Sequence, residues 1–150
     1  EEYEAVDALA KAGYAVIAGD LHGQPFYDRP PMPDKVCVVI GNEGAGVSPA
    51  VLAEHSAVSH EVALAMAEGA RTLLGCDIAL STTGVAGPDR DDRGHEIGTM
   101  FVAIATPEGS HVRALNLGNR PMRQRQRTNT AHNAFDLARR YLTGLPYENH

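Results

Sequence analysis

The sequence predicts an α/β fold: a single three-layer domain in which a mixed, largely parallel sheet is flanked by helices. Three observations carry that reading. Short apolar, β-branched runs at Ala15–Ala18, Lys35–Ile40 and Asp77–Leu80 alternate with stretches of helical periodicity, the order produced by parallel strands joined through helices. Lys35–Ile40 is apolar without alternation, as befits a strand buried on both faces and central in its sheet. A chain of 150 residues fits one core and is too short for two full domains.

Residues 2–12 place Val6, Leu9 and Ala10 on one helical face, with Gly13 as the stop. Ala15–Ala18 reads as a buried strand ending at Gly19-Asp20, where Asp20 and His22 are turn residues. Pro25, Pro30, Pro31 and Pro33 exclude regular helix or a central strand from residues 24–34. Beyond the strand Lys35–Ile40 comes a glycine loop from Gly41 to Gly46; Ser48-Pro49 then opens a short helix that runs through Glu54. Ser59 caps a second helix, with Glu61 in its first turn, an apolar stripe of Val62, Ala63, Met66, Ala70, Leu73 and Leu74, and Gly75 at its end. After the strand Asp77–Leu80, Ser81–Pro88 reads as a loop of small residues. Gly98–Thr106 and His111–Leu117 form a hairpin across Pro107–Ser110, with Met100, Val102 and Ile104 on one face. Gly118–Pro121 opens the longest helix, which buries Ala131, Ala134, Phe135, Ala138, Tyr141 and Leu142 and stops at Gly144.

The net charge of −6 is spread without a long block of one sign, so neither a nucleic-acid partner nor an anionic membrane surface is expected. No apolar run is long enough to span a bilayer, and Glu1-Glu2-Tyr3-Glu4 lacks the features of a signal peptide, so a cytoplasmic location is expected. Cys37 and Cys76 read as reduced structural thiols. Asp89, Asp91 and Asp92 lie in a charged, solvated loop without the glycine and distal glutamate of a calcium loop, and His55 and His60 do not share a helix face; no metal site is expected.

Three features suit an anionic ligand. Gly41–Gly46 can bring backbone N–H groups close to a phosphate or carboxylate, and Ser81–Pro88 adds three hydroxyls beside glycines at a strand end. Arg120, Arg123, Arg125 and Arg127 gather in the first turns of the last helix, where cations oppose the helix dipole unless an anion sits among them. Each also has a plain structural reading: a tight reversal, a turn that satisfies its own backbone, a solvated arginine face.

Gly13-Tyr14-Ala15-Val16, Gly19-Asp20-Leu21-His22-Gly23 and Val38-Val39-Ile40-Gly41-Asn42-Glu43-Gly44-Ala45-Gly46-Val47-Ser48 make residues 1 to about 50 resemble a fragment of the SpoU-type RNA ribose methyltransferases of the SPOUT class. That resemblance implies that Gly41, Asn42, Glu43 and Gly44 form one wall of an S-adenosylmethionine site. The family's catalytic arginine strand and its knot segment are absent. From about Gly46 to Leu142 the chain resembles the C-terminal domain of CinA-type proteins, nicotinamide mononucleotide amidases. The resemblance rests on Gly46-Val47-Ser48-Pro49, Leu52-Ala53-Glu54-His55, Ala57-Val58-Ser59, Ala65 to Ala70, Thr83 to Pro88, Gly98-Thr99 and Gly118-Asn119-Arg120. It implies that Thr83, Gly84 and the Ala86-Gly87-Pro88 turn lie near a nucleotide. That family's Glu-Ser-Cys-Thr-Gly-Gly loop, with its catalytic serine, is absent as well.

The expectation is therefore a chimeric, engineered or recombined chain: residues 1–50 methyltransferase-like, 46–142 CinA-like, 143–150 a tail. It has no complete active site, no catalytic residue and no cofactor of its own, and a homodimer would cover the faces left by the join. The alternatives are a residual module binding a nucleotide or another anion weakly through Gly41, Asn42, Glu43, Gly44, Thr83, Gly84, Gly87 and Arg120, or an amidase with a remodelled site. For the latter Ser48, Ser81, Thr82 and Thr83 are the candidate hydroxyls, with no general base evident beside them.

Overall fold

The computed structural model describes residues 2–18, 31, 33–41, 54–91, 93–119 and 122–148. In chain order the elements are α1 (Glu2–Lys11), β1 (Ala15–Ala18), β2 (Val36–Ile40), α2 (His60–Leu74), β3 (Ile78–Gly84), β4 (Thr99–Thr106), β5 (Gly109–Asn116) and α3 (Arg123–Thr143). The five strands form one sheet in sequence order, β1-β2-β3-β4-β5. β1, β2 and β3 run parallel, and the β4–β5 hairpin continues the sheet antiparallel. Cys37 stands opposite Ile78 and Ile40 opposite Ser81, so the strand before the glycine loop lies directly beside β3.

Strand alternation sends side chains to two helical layers. Val36, Val38, Ile40 and Ala79 pack on Val62, Met66 and Ala70 of α2. Cys37, Ile78, Leu80, Val102 and Ile104 pack on Leu9 of α1 and on Ala134, Leu137 and Ala138 of α3. Where α2 crosses β4, both surfaces are alanine, Ala63 and Ala67 against Ala103 and Ala105. That close approach lets the wholly buried Ser81 hydroxyl donate to the Ala63 carbonyl at 2.6 Å.

Several elements depart from the sequence reading. Ser81–Gly84 is strand, not loop, because each of its residues pairs with β4, from Ser81 against Ala103 to Gly84 against Met100. β1 is only half-buried, since it forms the sheet edge. Ala10 is exposed while Leu9 is buried, and Leu73 is 67% exposed at the end of α2. Leu137, absent from the expected face of the last helix, is fully buried there, whereas Phe135, Tyr141 and Leu142 sit at the margin of the same cluster. The hairpin turn is tighter than expected, with Thr106 opposite Gly109. The short helix expected from Pro49 lies outside the described residues except for Glu54.

Other signals act as read. The Ser59 hydroxyl accepts from the Val62 N–H at 3.2 Å, and Gly75 and Gly144 end α2 and α3 in the left-handed conformation. Cys37 and Cys76 are free and buried, and burial pushes the Cys37 thiol up to about 12. No helix among the described residues is long and apolar enough to cross a membrane. Residues 145–148, expected as a tail, lie against β5 and α3: Arg140 Nη1 donates to the Pro146 carbonyl at 2.7 Å, Arg113 donates to the Tyr147 carbonyl, and the Tyr147 ring stacks on His111.

Candidate functional site

The carboxyl end of β3 opens into a cleft of about 470 Å³, within the size range of small-molecule sites. Its walls are residues 56–58, the chain from Gly84 to Gly87, Asp89, Arg90, Asp91 and Arg93 of the charged loop, and Arg123 at the start of α3. Beneath it Val58, Val85, Ile97 and Phe101 form a small apolar cluster.

Backbone bonds hold the wall that follows β3. Val85 N–H donates to the Thr99 carbonyl at 2.9 Å, Gly98 N–H to the Val85 carbonyl at 2.8 Å, and Leu117 N–H to the Gly98 carbonyl at 2.9 Å. Gly98 is at φ +89°, and a Cβ there would lie 2.4 Å from the Gly118 carbonyl oxygen, so only glycine allows the chains to come this close. Arg123 reaches across from α3, donating from Nη1 to the Gly87 carbonyl at 2.9 Å. The buried Thr83 hydroxyl donates to the Ala57 carbonyl at 2.6 Å and so fixes the opposite wall. There the Ser56 hydroxyl accepts the Val58 N–H at 3.2 Å.

With Val85 held in this ladder and the Gly87 carbonyl taken by Arg123, the Ala86 and Gly87 N–H groups have no acceptor among the described residues. Gly87 is buried and precedes a cis bond to Pro88. Buried backbone donors ordinarily find a partner. Ala86 and Gly87 both line the cleft, as do Arg93 and Arg123; adjacent backbone N–H groups and guanidinium groups are the donors that anions accept from.

The charged loop is cross-braced, not merely solvated. Arg90 pairs with Glu96 at 2.5 Å. Asp91 grips His95 twice, accepting the His95 backbone N–H at 2.7 Å on one oxygen and meeting Nδ1 at 2.6 Å with the other. Gly94, at φ +81°, makes the turn between them. Burial works against the Asp91 charge, but the hydrogen bonds from the His95 ring and backbone outweigh it and hold the carboxyl below its ordinary value. Among the described residues no group of side chains could hold a metal ion.

Of the residues singled out from the sequence, Gly84 and Gly87 line the cleft, and Thr83 lies directly behind it. Gly41, at the end of β2, is not among the lining residues; a Cβ there would stand 3.8 Å from the Thr82 hydroxyl on the neighbouring strand. Asn42, Glu43, Gly44 and Arg120 lie outside the described residues, as does Ser48. Ser81 and Thr83, two candidate nucleophiles, spend their hydroxyl protons on backbone carbonyls. Ser56 and Arg93 escaped the sequence reading. The one signal for the braced loop was the Asp91-to-His95 spacing across Gly94.

Two family models match the chain. The CinA C-terminal domain matches residues 40–142, and the SpoU rRNA Methylase family matches residues 2–73. The matches overlap over 40–73 and do not meet at a narrow seam, and one sheet runs through both stretches, so the reading of an engineered splice is not supported. A CinA-like protein of Solibacter usitatus is 50% identical over 100 residues, covering 66% of this chain and 23% of that protein. A CinA-like protein of Geobacter metallireducens is 46% identical over 97 residues, 65% of this chain and 23% of that protein. The chain thus spans about a quarter of the length of these relatives. The competence/damage inducible protein CihA of Agrobacterium tumefaciens superposes with a TM-score of 0.58 at 27% identity, over 66% of this chain and 59% of that one. The competence damage-inducible protein A of Klebsiella pneumoniae shares the fold over 95% of this chain and 98% of its own, with a TM-score of 0.70 at 20% identity.

Proposed function

The chain belongs to the CinA C-terminal domain family, and from that footing we propose that it is a nucleotide-binding module that holds a phosphorylated, amide-bearing nucleotide such as nicotinamide mononucleotide in the cleft after β3. The observation that carries this is the pair of unclaimed N–H groups on Ala86 and Gly87 at the cleft wall, with Arg93 and Arg123 lining the same cleft. Phosphate would be the group recognised there, because both guanidinium and adjacent backbone N–H groups bind it by charge-assisted hydrogen bonds. Val58 and Val85 supply the apolar surface for a flat ring, and Ser56 a hydroxyl for its polar edge.

This reading takes the place of a chain with no ligand. Within it, the described residues up to Gly41 supply sheet and helix surface: β1 and β2 extend the sheet beside β3, and α1 packs on α3. S-adenosylmethionine is not the ligand we propose, because Gly41 stands apart from the cleft.

Titration calorimetry tests the proposal. Nicotinamide mononucleotide should bind at millimolar concentration or tighter, nicotinamide riboside, which lacks the phosphate, at least about tenfold more weakly, and Arg123→Ala should lose about the same factor, the worth of a charge-assisted bond. No heat with the mononucleotide at millimolar concentration, or equal affinity for the riboside, would overturn it.

A further inference from the structure

We infer that Asp89 reads the charge of the bound nucleotide's ring, so that the cleft selects a cationic pyridinium over the neutral dihydropyridine of the same mononucleotide. The inference rests on the nucleotide reading above and adds a specificity-determining residue and the redox form of the ligand that it selects.

The charged side chains that line the cleft are Asp89, Arg90, Asp91, Arg93 and Arg123. Most are already committed within the fold. Arg90 pairs with Glu96 at 2.5 Å, Asp91 spends both carboxylate oxygens on His95, and Arg123 Nη1 donates to the Gly87 carbonyl at 2.9 Å. The Asp89 carboxylate and the Arg93 guanidinium have no partner among the described residues. A cleft that keeps one unmatched charge of each sign, beside two unclaimed N–H groups, is complementary to a ligand that carries both signs. The phosphate answers Arg93 and the Ala86 and Gly87 N–H groups. What is left for Asp89, two residues beyond Gly87 on the same wall, is a cation.

The ring supplies it. A carboxylate only accepts hydrogen bonds, and any that it accepts from the ribose hydroxyls or the carboxamide N–H groups are offered equally by the oxidised and the reduced nucleotide. The two differ in ring charge, while phosphate, ribose and carboxamide are common to both. Apolar contact with Val58 and Val85 by itself favours the uncharged ring, because a charge is costly to take out of water. A preference for the cation therefore needs an opposite charge at the cleft, and Asp89 is the carboxylate not already spent. Asp89 is exposed, so the attraction is that of a screened pair, worth severalfold in affinity and not orders of magnitude.

The test is titration calorimetry of the full chain with nicotinamide mononucleotide and with its dihydro form, on wild type, Asp89→Asn and Asp89→Glu. The readout is the ratio of the two dissociation constants within each protein. Loss of the Asp89 charge also relieves its repulsion of the phosphate, and a slackened loop weakens any ligand, but both effects act on the two forms alike and cancel in the ratio. The wild type should hold the oxidised form about fivefold more tightly than the reduced. That ratio should fall to about one or below in Asp89→Asn and persist in Asp89→Glu, which keeps the charge. A wild-type ratio of about one or less, a preference kept in Asp89→Asn, or a preference lost in Asp89→Glu overturns the inference, while binding of either form leaves the nucleotide reading standing. Absence of binding by both forms at millimolar concentration overturns both.

Discussion

Replacing Gly84 with alanine tests how tightly the cleft end of the sheet is built. Gly84 is the last residue of β3 and pairs with Met100. A Cβ there would lie 2.0 Å from the Met100 sulfur, 2.7 Å from the Thr99 carbonyl oxygen and 2.8 Å from the Met100 Cα, where ordinary contact begins at 3.4 Å. The sulfur can swing aside. The carbonyl and the Cα belong to the facing backbone and move only if the ladder opens at its end. Overpacking costs typically about 1–3 kcal/mol, and two backbone clashes put this change in the upper part of that range, at about 2–3 kcal/mol. With a urea dependence of about 2 kcal/mol/M, the midpoint of unfolding should fall by roughly 1–1.5 M. Gly75→Ala is the control: at φ +60° with no atom within 4 Å, it adds strain without a clash, about 1–2 kcal/mol. Affinity for nicotinamide mononucleotide should drop in Gly84→Ala and hold in Gly75→Ala, which is remote from the cleft wall. A Gly84→Ala midpoint within error of the wild type would refute the reasoning.

The remaining predictions concern side chains. Ser81→Ala should cost about 1 kcal/mol in urea unfolding, from loss of the buried bond to Ala63, and leave ligand affinity and any ammonia release unchanged; lost turnover at full stability would instead mark Ser81 as a nucleophile. Asp136 accepts from Arg140 at 2.7 Å, Arg139 at 2.7 Å and Arg113 at 3.1 Å. Burial opposes the Asp136 charge, but these three arginines prevail and hold the carboxyl at about 2 against an ordinary 3.8. Its contribution is thus complete above pH 3.8 and is lost as pH falls from there through about 2. Asp136→Asn should cost about 1–2 kcal/mol near neutrality, allowing for solvent screening. The difference in stability between wild type and variant should shrink across that acid window, and a difference independent of pH would contradict the arginine pairing.

Much of the fold was legible because its signals are local. The Ser59 cap, the glycine stops at Gly75 and Gly144, and the apolar run of β2 need only a few neighbouring residues to be read. The strand character of Ser81–Gly84 was not local: Thr82 and Thr83 look like a polar turn until Val102 and Phe101 stand opposite them. Burial of Leu137 depends likewise on where the sheet meets α3, and Leu73 is left exposed at the end of α2. Of the candidate cleft, two lining glycines were legible: Gly84 faces the Thr99 and Met100 backbone too closely for a Cβ, and Gly87 sits at φ +86°. The charged wall was not, because Asp91 and His95 become a pair only when the turn at Gly94 folds them together.

The measurement closest to the central claim is an amide-resolved NMR titration of the full chain with nicotinamide mononucleotide. The account predicts that the Ala86 and Gly87 N–H resonances move most, with Val58, Val85 and the Arg123 side chain following and β5 unmoved. Saturable shifts centred elsewhere, with Ala86 and Gly87 unchanged, would contradict it.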